Sequence, residues 1–572
     1  VAETEKEHSY KNTRTDTLVP AFTMITVTRV ADIRSGSVGS APQHPALLGH
    51  VLFFAASDGS TGRELWRSDG TAAGTIRVAD LLSGEESSNP EELIAIGNRL
   101  IFTAEFAGIG RELWASDGTE NGTVLVLDIN KNNEDQLVNS NNYSGLYPVF
   151  GSYPEQLTNV SNSLFFTADD QINGRELWKS DGSREGTILL ANIRSGRSSS
   201  NPERLTPAGE TLFFRANDGS SGSELWKSDG TATGTNRVAD ISVGAAGSYP
   251  DELTVIEETL FFSARNREYG QELWRSDGTP EGTQRITDIR SGPSGSYPKN
   301  LTAVGNALFF TATNGSSGVE LWKSDGTAAG TILVADINTG QAGFVVSSEP
   351  QWLTAVGNSL FFTADEGNGN RELWTSDGTR AGTRTVLDIR PGHFGSVPQQ
   401  LTPVDDAVVF TADDGSSGLE LWISDGTAAG TKLLADIQQG SATSQPYILA
   451  RVGDTVFFRA TDGSTGPELW RVSFGDSSRL GSVLISPQAS SVTSESGGIS
   501  TLTVVLTTQP SADVKINLIS SDPNEGAPSS DSLTFTPDNW SIAQTFSVRG
   551  VDDAIDDGNI LYSIHSTAIS DD

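Results

Sequence analysis

The sequence predicts an all-β protein: a β-propeller of nine four-stranded blades followed by a β-sandwich. Three observations carry this expectation. The triplet Glu-Leu-Trp occurs nine times, with tryptophans at Trp66, Trp114, Trp178, Trp226, Trp274, Trp322, Trp374, Trp422 and Trp470, spaced 48, 64, 48, 48, 48, 52, 48 and 48 residues apart. A fixed period with two insertions is the mark of one structural unit copied in series. Within each period, apolar runs of four to seven residues, rich in β-branched and aromatic types, alternate with clusters of Gly, Asn, Asp and Ser, and no repeat sustains a helical period. The composition agrees, with 60 Gly in 572 residues, 36% hydrophobic and 19% charged, a balance unlike that of a helical or an acidic disordered chain.

Taken in order, residues 1–24 read as an extended arm without a repeat partner. The repeats follow over 25–473. The sixth copy shows their four strands: Asn300-Leu-Thr-Ala-Val304, Ala307-Leu-Phe-Phe-Thr-Ala312, Glu320-Leu-Trp-Lys-Ser324 and Thr331-Ile-Leu-Val-Ala-Asp-Ile337. Four short strands in this length match a propeller blade better than a solenoid coil. The last copy stops after Glu468-Leu-Trp-Arg-Val472 without a fourth strand, and the missing segment stands at the other end as Val27-Thr-Arg-Val-Ala-Asp-Ile33. An N-terminal strand is therefore expected to complete the final blade and close the ring. Because nine exceeds the usual four to eight blades, a non-closing copy and an open ring stay as alternatives.

Nine equivalent tryptophans point to a structural role, since stacking on one ligand needs a single residue. The Glu two positions earlier shares the Trp face of its strand, so Glu320 and its equivalents are expected to be partly buried and to take donors from a neighbouring Ser-Asp-Gly-Thr turn. In that turn Asp325 is expected to accept backbone N–H groups, with Gly326 and Gly330 both permitting positive φ. The recurrent Ala-Asp-Ile acids (Asp32, Asp80, Asp128, Asp240, Asp288, Asp336, Asp388 and Asp436) either cap the turns that follow or line a wide channel. Departures from the repeat are where a unique function is expected. The third copy carries 16 extra residues, where Asn142, Tyr143, Tyr147 and Phe150 read as a glycan or subunit contact, the alternative being a tolerated surface insertion. The seventh is longer by four, with Phe344 at an apolar tip that marks a further contact.

Composition narrows the function. With 73 Asp+Glu against 38 Lys+Arg, the net charge of −35 speaks against nucleic acid as a partner. The absence of cysteine removes disulfides, thiolate metal sites and a cysteine nucleophile. No apolar run approaches the ~18–20 residues of a membrane-spanning helix, so no membrane insertion is expected. The start at Val1, followed by a charged stretch, reads as a processed product or a fragment. The five histidines are scattered, and no metalloprotease, nucleophile-elbow or phosphate-loop motif occurs.

The run Glu64-Leu-Trp-Arg-Ser-Asp-Gly-Thr71 and its copies resemble the bacterial ELWxxDGT repeat family of secreted and surface proteins. Ser183 replaces the Thr in the third copy, and Val472-Ser-Phe replaces Ser-Asp-Gly in the ninth. The resemblance implies an extracellular, cell-surface location. After a linker over 474–481, residues 482–572 alternate as strands of a sandwich, incomplete at its C-terminal end. Leu533-Thr-Phe-Thr-Pro-Asp-Asn-Trp540 and Gly550-Val-Asp-Asp-Ala-Ile-Asp-Asp-Gly558 resemble a Calx-beta domain, which implies calcium at one end, with Glu495, Asp522, Asp552, Asp553, Asp556 and Asp557 as candidate ligands. These readings together lead to the expectation of a non-enzymatic structural or adhesive protein, self-associating or binding other surface proteins, and forming filaments by head-to-tail strand addition. The alternatives are a glycan-binding propeller and a sialidase-like or lyase enzyme with an acid and aromatic cluster at one mouth of the ring.

Overall fold

The computed structural model describes residues 24–130, 151–339, 345–367, 369–475, 483–487, 499–506, 510, 512–520, 523, 526–551 and 564–570. Among these there is no helix, and the repeats form four-stranded antiparallel sheets in the manner of a β-propeller. The first sheet comprises Gln43–Leu48, Val51–Ser57, Arg63–Ser68 and Ile76–Ala79 in that order. Seven further sheets repeat the plan. The last is built from Tyr447–Val452, Thr455–Ala460 and Glu468–Gly475, and its fourth strand is Met24–Ala31 from the other end of the chain. The first strands of successive sheets are neighbours, and the first strand of the last sheet neighbours that of the first.

Strand alternation determines how sheets pack. In the sixth repeat Phe310 stands opposite Trp322 and Ala312 opposite Glu320, while Phe309 and Leu321 lie on the other face. The Phe309 and Leu321 face packs against Leu360, Phe362, Ala364 and Trp374 of the next sheet. The same composition recurs where the first and last sheets of the repeat array meet, with Val30, Phe457 and Leu469 against Leu52, Phe54, Ala56 and Trp66. Each middle strand is thus apolar on both faces, which is why Leu-Phe-Phe runs do not alternate with polar residues. The phenylalanine that stands opposite the repeat Trp, Phe54 through Phe458, has no exposed surface in any of the nine sheets.

The Ser-Asp-Gly-Thr turns behave as expected in all but one respect. Asp325 Oδ1 accepts from the Thr327 backbone N–H at 2.8 Å and from its hydroxyl at 2.7 Å, and Ser324 Oγ pairs with Thr331 Oγ1 at 2.8 Å. Gly326 has φ 86, a conformation open to glycine at little steric cost. Gly330 does not have positive φ, contrary to expectation. Its requirement is space, because a Cβ there would lie 2.0 Å from Asp325 Oδ1. The equivalent glycines, from Gly74 to Gly430, face their own Asp carboxylates at 2.0–2.1 Å.

A second compact unit holds the strands beyond Phe474. Val483–Pro487, Ile499–Leu506, Gln544–Gly550 and Gly526–Pro528 form one sheet, and Ser532–Phe535, Val514–Ser520 and Ile564–Ser570 another. Val504, Leu506, Val514, Ile516, Leu518, Phe535, Phe546 and Val548 make their shared core, with Trp540 against it.

The close contact at Gly330 gives a direct test. Gly330→Ala is expected to destabilise by about 1–3 kcal/mol through overpacking, read as a lower thermal midpoint. Adding Asp325→Ala should recover part of the loss. Equal losses in the single and double variants would show that the carboxylate is not the obstacle.

Candidate functional site

Every repeat Glu is fully buried, and its partners are not those expected. The donors come from the connection into the next sheet rather than from a Ser-Asp-Gly-Thr turn. Glu320 accepts from Ile337 N at 3.0 Å, Ser348 N at 2.8 Å and Ser348 Oγ at 2.5 Å. Glu64 does the same with Leu81 N, Ser88 N and Ser88 Oγ. The serine opens a Ser-x-Pro tripeptide present in all nine copies, from Ser40-Ala-Pro42 to Ser444-Gln-Pro446. In the last sheet Glu468 reaches Ile33 N, Arg34 N and Ser40, more than 420 residues away, so the same clamp joins the two ends of the repeat array.

Burial raises the pKa of each of these carboxyls above the ordinary Glu value, against the opposing pull of the Ser and backbone hydrogen bonds. Glu112 and Glu320 are pushed up to about 7. An acid with a raised folded-state pKa binds more protons in the native state. The stability it contributes is therefore fully present below about pH 4.5 and is lost as pH rises toward 7.

The Ser-x-Pro clamp also sets one mouth of the propeller, the end at which the first strands begin. Its middle residue takes left-handed φ of 44–52 in all nine copies, including Val397 and Tyr297, although a residue before proline favours extended backbone. Clamped serine on one side and proline on the other over-determine this strain. Directly after, the first strands begin, and the second residue past the proline is again left-handed in eight copies: His44, Glu92, Gln156, Arg204, Glu252, Asn300, Trp352 and Gln400. From this slot Glu92, Gln156, Glu252 and Gln400 accept backbone N–H groups of the next sheet, those of Leu157, Arg204, Leu301 and Ile448. Trp352 occupies the same slot with a donor-only indole and is 44% exposed. Tyr153, Tyr249 and Tyr297 of the Ser-x-Pro segments and Tyr447 beside Pro446 are exposed at the same ends of the first strands. Arg265 lies over the Tyr249 ring at 4.3 Å and Arg459 over Tyr447 at 5.0 Å. Two of the acids here are ion-paired, Asp251 with Arg204 at 2.6 Å and Glu91 with Arg111 at 3.4 Å.

The Ala-Asp-Ile acids do not line this channel, because they end the fourth strands, the far side of each sheet from the first strands. Asp80, Asp240 and Asp288 pair with Arg77, Arg237 and Arg285 at 3.5, 3.9 and 3.4 Å, and Asp436 caps its turn through Gly440 N at 3.1 Å. The expected contact residues Asn142, Tyr143, Tyr147, Phe150 and Phe344, and the expected calcium ligands Glu495, Asp522, Asp552, Asp553, Asp556 and Asp557, lie outside the described residues. Among the described residues no group of three or more metal-ligating side chains converges. Sequence reasoning missed the mouth slot. Its available signal was Trp352, the one repeat-region tryptophan outside Glu-Leu-Trp.

No family model and no curated protein matches the chain. Solved structures similar to it include a puromycin hydrolase, 17% identical with TM-score 0.33 over 67% of this chain and 60% of that one. A prolyl endopeptidase is 12% identical with TM-score 0.36 over 73% of this chain and 54% of that one. The β-propeller domain of the Trilobed protease from Pyrococcus furiosus, described as having an open velcro topology, is 12% identical with TM-score 0.32 over 69% of this chain and 98% of that one. The chain thus spans little more than half the length of the two peptidases. That these neighbours are peptidases overturns the expectation of a non-enzymatic structural or adhesive protein, which is withdrawn. At these identities and TM-scores the likeness assigns no reaction to this chain.

The buried carboxylate yields two expectations. Glu320→Ala, which strands the Ser348 and Ile337 donors, should cost roughly 3 kcal/mol, and Glu320→Gln less. Acidification from pH 7 to 5 should raise the unfolding midpoint of the wild type, and by a smaller amount in Glu320→Gln. A midpoint that falls over this interval would contradict the assigned burial of the acids.

Proposed function

We propose that the repeats form one closed nine-bladed propeller, that the C-terminal sheets form a β-sandwich, and that the propeller binds a carbohydrate chain across the mouth where its first strands begin. Closure is supported by the Met24–Ala31 strand in the last sheet, by the Glu468 clamp onto Ser40 and by the shared apolar packing of the two end sheets. The observation that carries the binding reading is Trp352. It lacks the inter-sheet bridge made by Glu92, Gln156, Glu252 and Gln400 and leaves a large aromatic face in solvent, in the sheet that follows that of Asn300 and precedes that of Gln400. An apolar ring face at an end that also carries amides, tyrosines and carboxylates suits a sugar, which presents C–H faces and hydroxyls together. The spread of Tyr153, Tyr249, Tyr297 and Tyr447 around the same mouth favours an extended ligand over a single residue.

Affinity electrophoresis through gels containing xylan, laminarin or dextran tests this. The wild type should be retarded by at least one neutral polysaccharide, and Trp352→Ala should weaken the interaction about tenfold or more, as loss of a central aromatic anchor does. Assaying the same samples for released reducing ends reports whether cleavage accompanies binding. Absence of retardation in every gel, or unchanged retardation of Trp352→Ala, would refute the reading.

A further inference from the structure

Six arginines occupy two positions of the repeat near the end where the first strands begin. Arg63, Arg111, Arg175 and Arg371 directly precede the Glu of Glu-Leu-Trp, while Arg215 and Arg459 follow the phenylalanine that stands opposite the repeat Trp. Acids answer four of the six. Arg111 pairs with Glu91 at 3.4 Å and Glu105 at 3.2 Å, Arg175 with Glu155 at 3.5 Å, and Arg215 with Glu203, and Arg371 has Asp365 and Glu349 within electrostatic reach. Glu91, Glu155 and Glu203 are the same residue of three successive sheets, the one that opens the first strand. In the first sheet that residue is Gln43, and in the last it is Tyr447.

The acid is thus missing on both sides of the junction where the first and last sheets meet. Its two arginines, Arg63 and Arg459, have no carboxylate within ion-pair distance among the described residues. Arg63 Nη1 donates instead to the Ala41 carbonyl at 2.8 Å and to that of Ala55 at 3.3 Å, oxygens that carry no net charge. Arg459 stands opposite Tyr447 in the strand register and lies over its ring at 5.0 Å. It shares the face of Phe457, which packs on the first sheet, and so is directed toward Arg63 and its sheet. Both arginines are partly exposed. Burial, and after it the like charge of Arg459, holds the Arg63 guanidinium below the ordinary arginine value, and burial lowers Arg459 as well. Two cations within reach of each other repel. In a chain with 73 Asp+Glu against 38 Lys+Arg, no shortage of acids explains why neither is answered.

We propose that this junction receives the carboxylate of a uronic acid, so that the ligand of the mouth is an acid-bearing carbohydrate; the inference rests on the carbohydrate reading of the mouth given above. A carboxylate supplies the missing negative charge and accepts from both guanidiniums, whose planar N–H groups match its two oxygens. Gln43 and the 42% exposed Tyr447 stand beside them with an amide and a hydroxyl for the sugar's own hydroxyls. The net charge of −35 opposes a densely charged polyanion. The acid therefore belongs to a chain that is otherwise neutral, which is the part the tyrosines and Trp352 of the same end would hold.

Isothermal titration of the full chain with D-glucuronate and D-galacturonate tests the proposal, against D-glucose and D-galactose, which differ from them only at C6, and against inorganic phosphate. At least one uronate should bind with a stoichiometry of one, and its neutral counterpart about tenfold or more weakly. Arg459→Gln and Arg63→Gln should each weaken uronate binding about ten- to hundredfold, the effect of losing a hydrogen bond between charged groups. Arg175→Gln, whose arginine is already paired with Glu155, should bind as the wild type does. Without ligand, Arg459→Gln should melt no lower than the wild type, since it relieves a repulsion; a marked fall would make Arg459 a structural residue and overturn the proposal. So would failure of both uronates to bind, undiminished binding in both arginine variants, or phosphate binding as tightly as the uronates. Retardation by a neutral polysaccharide without uronate binding would overturn this inference and leave the mouth reading standing. Uronate binding in a chain that no polysaccharide retards would overturn the mouth reading alone.

Discussion

The carboxylate of each Glu-Leu-Trp triplet sits where no solvent reaches and holds the chain as it leaves one sheet for the next. Burying a carboxylate costs several kcal/mol unless its oxygens are well supplied with donors. Here two backbone N–H groups and a serine hydroxyl supply them, and the raised pKa records what burial still costs. The clamp links residues that are distant in sequence but occupy the same place in every copy. Spacing, twist and contact between sheets therefore repeat as well. In the last sheet the same carboxylate grips residues 33–40, so the contact that organises each repeat also unites the ends of the array.

From that clamp the rest of the inner wall follows. Holding Ser-x-Pro by its serine forces the middle residue into left-handed backbone nine times, even where it is valine or tyrosine. It thereby presents that side chain where the first strand of its sheet begins. The structure thus turns strain that would be unusual in isolation into a regular way of displaying side chains. Where the displayed residue is Ala41 or Asn89 little results, but Tyr153, Tyr249 and Tyr297 give the mouth an aromatic character that the mean composition conceals.

The seventh repeat concentrates the departures. Trp352 takes the slot in its first strand that four other copies fill with a bridging Glu or Gln, and Asn370 replaces the glycine over which the connecting loop closes in the other eight. The repeat is also four residues longer than the 48-residue norm. In an array held by nine equivalent clamps, one member can lose a bridge and a close contact while its neighbours maintain the frame. Repetition in this sense makes room for a site.

Much of the architecture was readable from residue order. Two-residue alternation in Leu-Phe-Phe-x-Ala and Glu-Leu-Trp assigned strands and faces, the period counted the sheets, and the stray Val27–Ile33 segment indicated how the last sheet obtains its fourth strand. These are local properties, and local steric preferences decide them. The partner of Glu320 was not readable, because Ser348 is 28 residues away and only the path of the folded chain brings it there. Nor was the reason for Gly330, which answers to a neighbouring carboxylate rather than to its own φ. The glycine two positions before each repeat Glu, replaced by Asn370 in the seventh copy, is of the same kind. The sequence by itself determined that one glycine of nine is absent. Only the tertiary structure decided what that glycine is for, since at Gly62 it leaves room for the Glu86 carbonyl oxygen, because steric exclusion acts between atoms that meet only after folding.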